Sequence, residues 1–181
     1  MNKLRNFEFE YNGEKYWYSR SITVATCIFC KDSDGNLCAL INKRGKGTPD
    51  DQGKWNMPCG YLDGGESATE ACSREVAEEC GVSIPSEAFA LINVETDPKK
   101  CNKGNVTLRH LCILSLRKPI GKLQEGGEKD EVDGIKWLPI EEIPNYNWAF
   151  NHKSTLLNEI IPKLEEYYHN YVLDTIKVTY E

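Results

Sequence analysis

Three carboxylates within one helical turn are the feature of this sequence most able to do chemistry. Glu75, Glu78 and Glu79 stand at i, i+3 and i+4 of a segment with helical periodicity, which puts them on one surface. Like charges so close repel, and the only base within a turn is Arg74, so a divalent cation is the natural neutraliser. Hard oxygen donors suit magnesium or manganese. Magnesium keeps several waters and binds through a few carboxylates plus substrate phosphates, which points to a phosphate ester or anhydride as the group acted on. Such an ion neutralises phosphate oxygens and supplies hydroxide near neutral pH, while a nearby carboxylate takes the proton. Taken alone, E-x-x-E-E is more often the solvated face of a surface helix.

The cluster needs a helix to carry it and a sheet to hold that helix. Ser67 followed by Glu70 is a capping-box pattern, Ala68, Cys72 and Val76 recur every fourth residue, and Gly81 stands where a left-handed terminator belongs. A helix is therefore expected over residues 66–82. Gly60, Gly64 and Gly65 read as a loop of little bulk feeding into it. Residues 21–30 and 36–42 are apolar and β-branched runs joined by Asp32-Ser33-Asp34-Gly35, so they read as paired strands. Residues 45–54 are a loop by composition, and 88–95, 106–116 and 132–138 are further strands. FEFEYNGEKYWYS alternates large and polar residues around Asn12-Gly13, the pattern of a hairpin. Asn151 is placed to cap a final helix with the apolar stripe Leu156, Leu157, Ile160, Ile161 and Leu164, kinked or broken at Pro162. Strands mixed with helices in this order predict an α/β or α+β fold, a mixed sheet between helical layers.

Composition narrows the partners. The chain has 181 residues, enough for one domain with a core of its own, and no apolar run reaches the ~20 residues of a membrane span. Residues 1–20 carry charges and aromatics throughout rather than a signal-peptide stretch, so the expected compartment is cytoplasmic, without membrane attachment. With 22 basic against 28 acidic residues, a net charge of -6, a nucleic acid polymer is not the expected partner. Eight scattered cysteines are read as free thiols. The pair Cys27 and Cys30 lies in a strand, where residues three apart face opposite ways, and no second C-x-x-C completes a zinc site.

Residues 60–82, GYLDGGESATEACSREVAEECGV, resemble the signature of the Nudix hydrolases at every specified position: Gly60, Glu66, Arg74-Glu75, Val76, Glu78-Glu79, Gly81 and Val82. Seven identities and two aliphatic positions would coincide by chance about 10⁻⁷ times in a chain of this length, which decides against accident. KWNMPCGYLDGGES is similar to the family's W-x-x-P-G-G approach, with Cys59 in place of the first glycine. The strand ending at Arg44, DGIKWLPIEEIP and WAFNHKSTLL extend the likeness over roughly residues 21–165. That division leaves residues 1–20 as an N-terminal hairpin and 166–181 as a C-terminal extension of the same domain.

The resemblance implies an α/β/α sandwich around a mixed sheet, and a Mg2+- or Mn2+-dependent hydrolase that splits a pyrophosphate bond in a nucleoside diphosphate derivative. It implies Glu75 and Glu79 as metal ligands, with Glu78 and the Gly60 carbonyl in support, and a Glu66–Arg74 pair holding loop and helix in register. A further acid from GGEKDEVD is implied as catalytic; Glu128, Asp130, Glu131 and Asp133 are the candidates and Glu131 the favoured one, against the alternative of a solvated charge run. Arg44 and Arg109 are either phosphate contacts or ordinary surface charges, and Tyr61, Tyr146, Trp148 and Phe150 either stack on a base or belong to the core. The substrate stays open: Pro98 resembles, in spacing, the proline of ADP-ribose pyrophosphatases, while the NADH and coenzyme A signatures are absent. The alternatives are a non-catalytic nucleotide-sensing module, or an isomerase needing a reactive thiol, for which Cys59 is the candidate. A homodimer built on the terminal segments is a further expectation.

Overall fold

The computed structural model describes residues 6–101, 103–114, 130–164 and 166–167. In chain order the elements are β1 (Phe7–Tyr11), β2 (Glu14–Tyr18), β3 (Ile22–Lys31), β4 (Leu37–Arg44), β5 (Trp55–Asn56), β6 (Cys59–Tyr61), α1 (Ala68–Cys80), β7 (Ala90–Glu95), β8 (Val106–Leu114), β9 (Val132–Pro139) and α2 (His152–Thr155). The strand at 106–116 is followed as far as Leu114, and residues 168–181 of the tail and Glu128 lie outside the described residues.

β3 is the axis of the sheet. It runs parallel to β8 and antiparallel to β4 and β6, so the sheet is mixed, in the order β5-β4-β3-β8-β7 with β9 on the other edge of β4. Because helical layers cover both faces, β3 reads as an almost unbroken apolar run instead of alternating. Val24, Ile28 and Cys30 pack with Ala71, Cys72, Val76 and Cys80 of α1, while Cys27 and Phe29 face Leu156, Ile160 and Leu164 on the opposite side. The architecture is the expected three-layer α/β/α sandwich, and Cys27 and Cys30 point to opposite cores.

α1 forms as its sequence predicts. The Ser67 side chain accepts from the Glu70 amide, Glu70 reaches back to the Ser67 amide, and Gly81 ends the helix at φ 62°. The hairpin also forms, with Asn12 at φ 53° and Gly13 at φ 80°, the positive pair that a tight two-residue turn requires.

Three expectations need correction. Gly60 belongs to a strand, β6, not to a loop: it pairs with Val24 and has no positive φ. The segment is only three residues long, too short to show a two-residue period in the sequence. Asn151 makes no side-chain cap bond; its backbone carbonyl is used instead, by the Ser154 hydroxyl and the Thr155 amide. The final helix is also not regular. After one turn it widens into a π turn over Leu156–Ile160 and then tightens into a 3-10 turn at Ile161–Lys163, where Pro162 supplies no amide to continue the ladder.

Candidate active site

α1 lies over β6, and that contact builds the acidic site. The Glu79 carboxylate reaches under the strand, where its Oε2 accepts the Cys59 amide at 2.9 Å. A backbone amide serves here, so the departure at Cys59 from the family pattern leaves this bond intact. Gly60 sits against Glu75 so closely that a β-carbon there would overlap the carboxylate. A side chain there would have to push the Glu75 carboxylate aside.

Arg74 is the hub of the charges. Its Nε and Nη2 grip Glu66 at 3.1 and 2.7 Å, its Nη1 donates to Glu75 at 2.8 Å and Glu78 at 3.1 Å, and Nη2 also reaches the Tyr61 carbonyl at 3.1 Å. Glu66 in turn accepts the Asp63 amide at 2.8 Å. One guanidinium thus ties the glycine turn to the helix.

The electrostatics divide the carboxylates into two kinds. Hydrogen bonding to Arg74 holds the Glu66 carboxyl below its usual range. Burial pushes Glu75 up, against the pull of Arg74, and pushes Glu79 well up, with the Glu75 charge adding to it and the Cys59 amide opposing. A carboxyl left in that condition calls for a cation. Among the described residues no three acidic, imidazole or thiol groups converge as a ready cage; Glu75 and Glu78 turn toward Arg74. The donor set still fits magnesium, which uses one or two carboxylates with waters and substrate phosphates, and Gly60 borders the same cleft beside Glu75.

This condition has a measurable consequence. Glu75 and Glu79 titrate higher in the folded chain than in the unfolded one, so above the ordinary value of 4.5 the folded state holds protons that the unfolded state has lost. Their contribution to stability therefore falls as pH rises from 4.5 through the raised values. A bound cation offsets the loss because it needs the ionised form. In thermal melts, added Mg2+ is expected to raise the midpoint more at about pH 8 than at about pH 5.5. An equal rise at both would contradict the assignment.

The acids border a cleft of about 940 Å3. Arg44, Gly60, Tyr61, Arg74, Glu75, Glu78, Glu79, Arg109 and Glu131 all border it, and Glu66 stands behind through Arg74. Arg44 is already bonded to Asp50 at 2.7 Å, and Arg109, 2% exposed, to Glu159 at 2.9 Å. Glu131 reaches the cleft rim on a segment whose backbone carbonyls, at Asp130 and Glu131, accept the amides of Gly47 and Gly45. Asp130 also borders the cleft, whereas Asp133 is drawn off by Lys43 at 3.6 Å. Of the aromatic candidates Tyr61 and Phe150 line the cleft; Trp148 is core, and Tyr146 packs edge-on against Trp55.

Several cleft residues carry no signal in the sequence. Lys99, Lys100 and Lys103 border it from a loop held by Arg20, which donates to the carbonyls of Thr96, Gly104 and Asn105. His152 joins from 95 residues beyond Met57, whose amide it accepts at 3.1 Å. Only its place at the start of the last helix set it apart. Cys59 is held as a thiol: burial, aided by Glu79, pushes its pKa up, the reverse of what a nucleophile needs.

Fold and site together define a carboxylate-centred cleft on an α/β/α sandwich. A family model described as NUDIX domain matches residues 21–158, and the chain belongs to that family. It is 33% identical over 141 residues to the putative mutator protein MutT4 of Mycobacterium tuberculosis, covering 73% of this chain and 51% of that protein. Its fold resembles the NUDIX domain of Shewanella oneidensis NrtR complexed with ADP ribose, with a TM-score of 0.66 and 21% identity over 83% of this chain and 89% of that one. It also resembles a bifunctional NMN adenylyltransferase/ADP ribose pyrophosphatase from Francisella tularensis complexed with AMP and a manganese ion, with a TM-score of 0.61 and 20% identity over 82% of this chain and 42% of that one. The chain spans between 13% and 63% of the length of the first curated relatives it matches.

Proposed function

We propose that this protein is a Mg2+- or Mn2+-dependent pyrophosphohydrolase acting on a nucleoside diphosphate derivative of the ADP-ribose kind. The observation that carries the reading is the juxtaposition of Glu75 and Glu79 with the bare backbone of Gly60 at the acidic wall of the cleft. Glu75, Glu78, Glu79 and the Gly60 carbonyl would hold the metal, which when bound would neutralise the diphosphate and lower the pKa of water. Arg74 and Glu66 position those ligands. Glu131, on the cleft rim, accepts the proton of the attacking water as its oxygen bonds to phosphorus and the bridging P–O bond breaks. Arg44, Tyr61 and Arg109 contact the substrate. Incubating the protein with a panel of nucleotide derivatives and either metal, with products identified by mass, tests the reading; no metal-dependent cleavage of any of them would refute it.

The likeness to NrtR supports a second reading, a nucleotide-binding module without turnover. Retention of every acidic position of the signature favours the enzyme. Among the described residues no helix is long and apolar enough to cross a membrane, and a cytoplasmic location remains the proposal.

The hairpin supports the proposal of a homodimer. Phe7, Phe9, Tyr11, Tyr16 and Tyr18 share one face, each between 43% and 63% exposed, on a two-stranded sheet that is marginal alone in water. The same face on a second copy is the surface proposed to cover this patch. Sedimentation is expected to show a dimer that the double variant Phe9→Glu/Tyr16→Glu converts to monomer. A monomeric parent protein would end this proposal.

A further inference from the structure

The wall of the cleft formed by Phe150 and His152 is built differently from the acidic one, and its construction points to what it receives. The turn before α2 is fastened to the strand segment 55–57 by successive bonds: the Trp55 amide to the Asn147 carbonyl at 2.8 Å, the Ala149 amide to the Trp55 carbonyl at 2.8 Å, and the Met57 amide to His152 Nδ1 at 3.1 Å. Between these anchors Phe150 adopts φ 54°, a left-handed conformation costly for a bulky residue, and its amide is held by Asp51 at 3.0 Å. Asp51 is itself fixed by Lys54 at 2.6 Å. The result is an aromatic ring at the cleft wall, with the Arg44 guanidinium 4.8 Å over it and the His152 ring edge-on at 5.2 Å.

His152 is 7% exposed and borders the cleft. Since its Nδ1 accepts a backbone amide, the proton of the neutral ring sits on Nε2, and no partner for Nε2 is found among the described residues. Burial, with Arg109 and Arg44 nearby, holds its pKa down to about 3, so the ring is neutral wherever the enzyme would work. Of the cations around the cleft, Arg44 pairs with Asp50, Arg109 with Glu159 and Lys100 with Glu95 at 3.1 Å, while Lys103 shares Asp50 at 3.5 Å. This wall presents an aromatic face and one uncharged donor. It suits a planar heterocycle that carries a hydrogen-bond acceptor.

We infer that His152 and Phe150 form the nucleobase subsite, with His152 Nε2–H donating to a ring nitrogen or carbonyl oxygen of the base while Phe150 packs against it. The inference rests on the nucleotide reading of the site. His152 acts as a specificity-determining donor and takes no part in proton transfer.

The test is calorimetric and does not depend on turnover. The full chain with Mg2+ is titrated with AMP, GMP, CMP and UMP and with ribose 5-phosphate, which lacks a base. The best-bound monophosphate is expected to bind roughly tenfold more weakly to His152→Phe, and to recover to within about threefold in His152→Gln, whose amide both accepts and donates. Phe150→Gly, which suits the left-handed backbone and so keeps the fold, is expected to weaken the same ligand about tenfold. Ribose 5-phosphate affinity stays unchanged in all three variants. Equal losses for ribose 5-phosphate, unchanged monophosphate affinity in both Phe150→Gly and His152→Phe, or a parent protein that binds no monophosphate better than ribose 5-phosphate would each overturn the inference. Base-selective binding without hydrolysis would leave it standing and count against the hydrolase reading alone.

Discussion

Glu79→Gln is expected to abolish Mg2+-dependent turnover, by ~10³-fold or more, while the protein melts at the same temperature or higher without metal. The two effects have one cause. The carboxylate is desolvated under β6, and Glu75 raises its pKa further, so its charge is a liability until a cation neutralises it. The amide keeps an oxygen for the Cys59 amide, bonded at 2.9 Å in the parent, and removes the charge. Stability is thereby spared or improved while the metal loses a ligand. Release of nucleoside monophosphate and a melting curve, measured on the same preparation, decide the matter; undiminished turnover would refute the metal-ligand role.

Gly60→Ala is expected to lower turnover by about 100-fold with little change in overall fold, because one methyl group displaces the carboxylate it meets. Its φ is not in the left-handed region, so the backbone tolerates alanine; the obstruction is Glu75, whose carboxylate occupies the space of the new β-carbon. Shifting that carboxylate disturbs its bond to Arg74 at 2.8 Å. Gly35→Ala is the contrasting variant. It sits at φ 86° with open space around it, so it is expected to cost about 1 kcal/mol of stability through backbone strain and to leave turnover unchanged. Chemical denaturation and steady-state rates on both variants separate space from conformation. Were Gly60→Ala fully active, the close approach of β6 to α1 would not be part of the site.

The acidic half of the site was legible because its determinants are local. Ser67, Glu70 and Gly81 delimit a helix by hydrogen bonds spanning three or four residues, and within it the spacing of Glu75, Glu78 and Glu79 fixes which side chains share a face. The hairpin at Asn12-Gly13 and the buried run of β3 were readable for the same reason. Gly60 was legible as a glycine but not as a strand residue, since its pairing partner Val24 lies 36 positions away and its reason for lacking a side chain is a carboxylate on another element.

The other half was decided by tertiary structure. Arg44 and Arg109 read as equivalent cations in the chain, yet each is matched to a carboxylate, Asp50 and Glu159, that no spacing rule connects to it across six and fifty residues. Tyr146, Trp148 and Phe150 are two residues apart in turn; only the left-handed turn at Phe150 sends that ring to the cleft while Trp148 enters the core. His152 acquires its tautomer and its place from the Met57 amide. By itself the sequence determined the helix and its acidic face, because those follow from the short-range periodicity of the backbone. The pairing of the cleft arginines, the aromatic wall and the neutral donor depend on groups brought together from distant positions, and burial and pairing there are set by the folded chain alone.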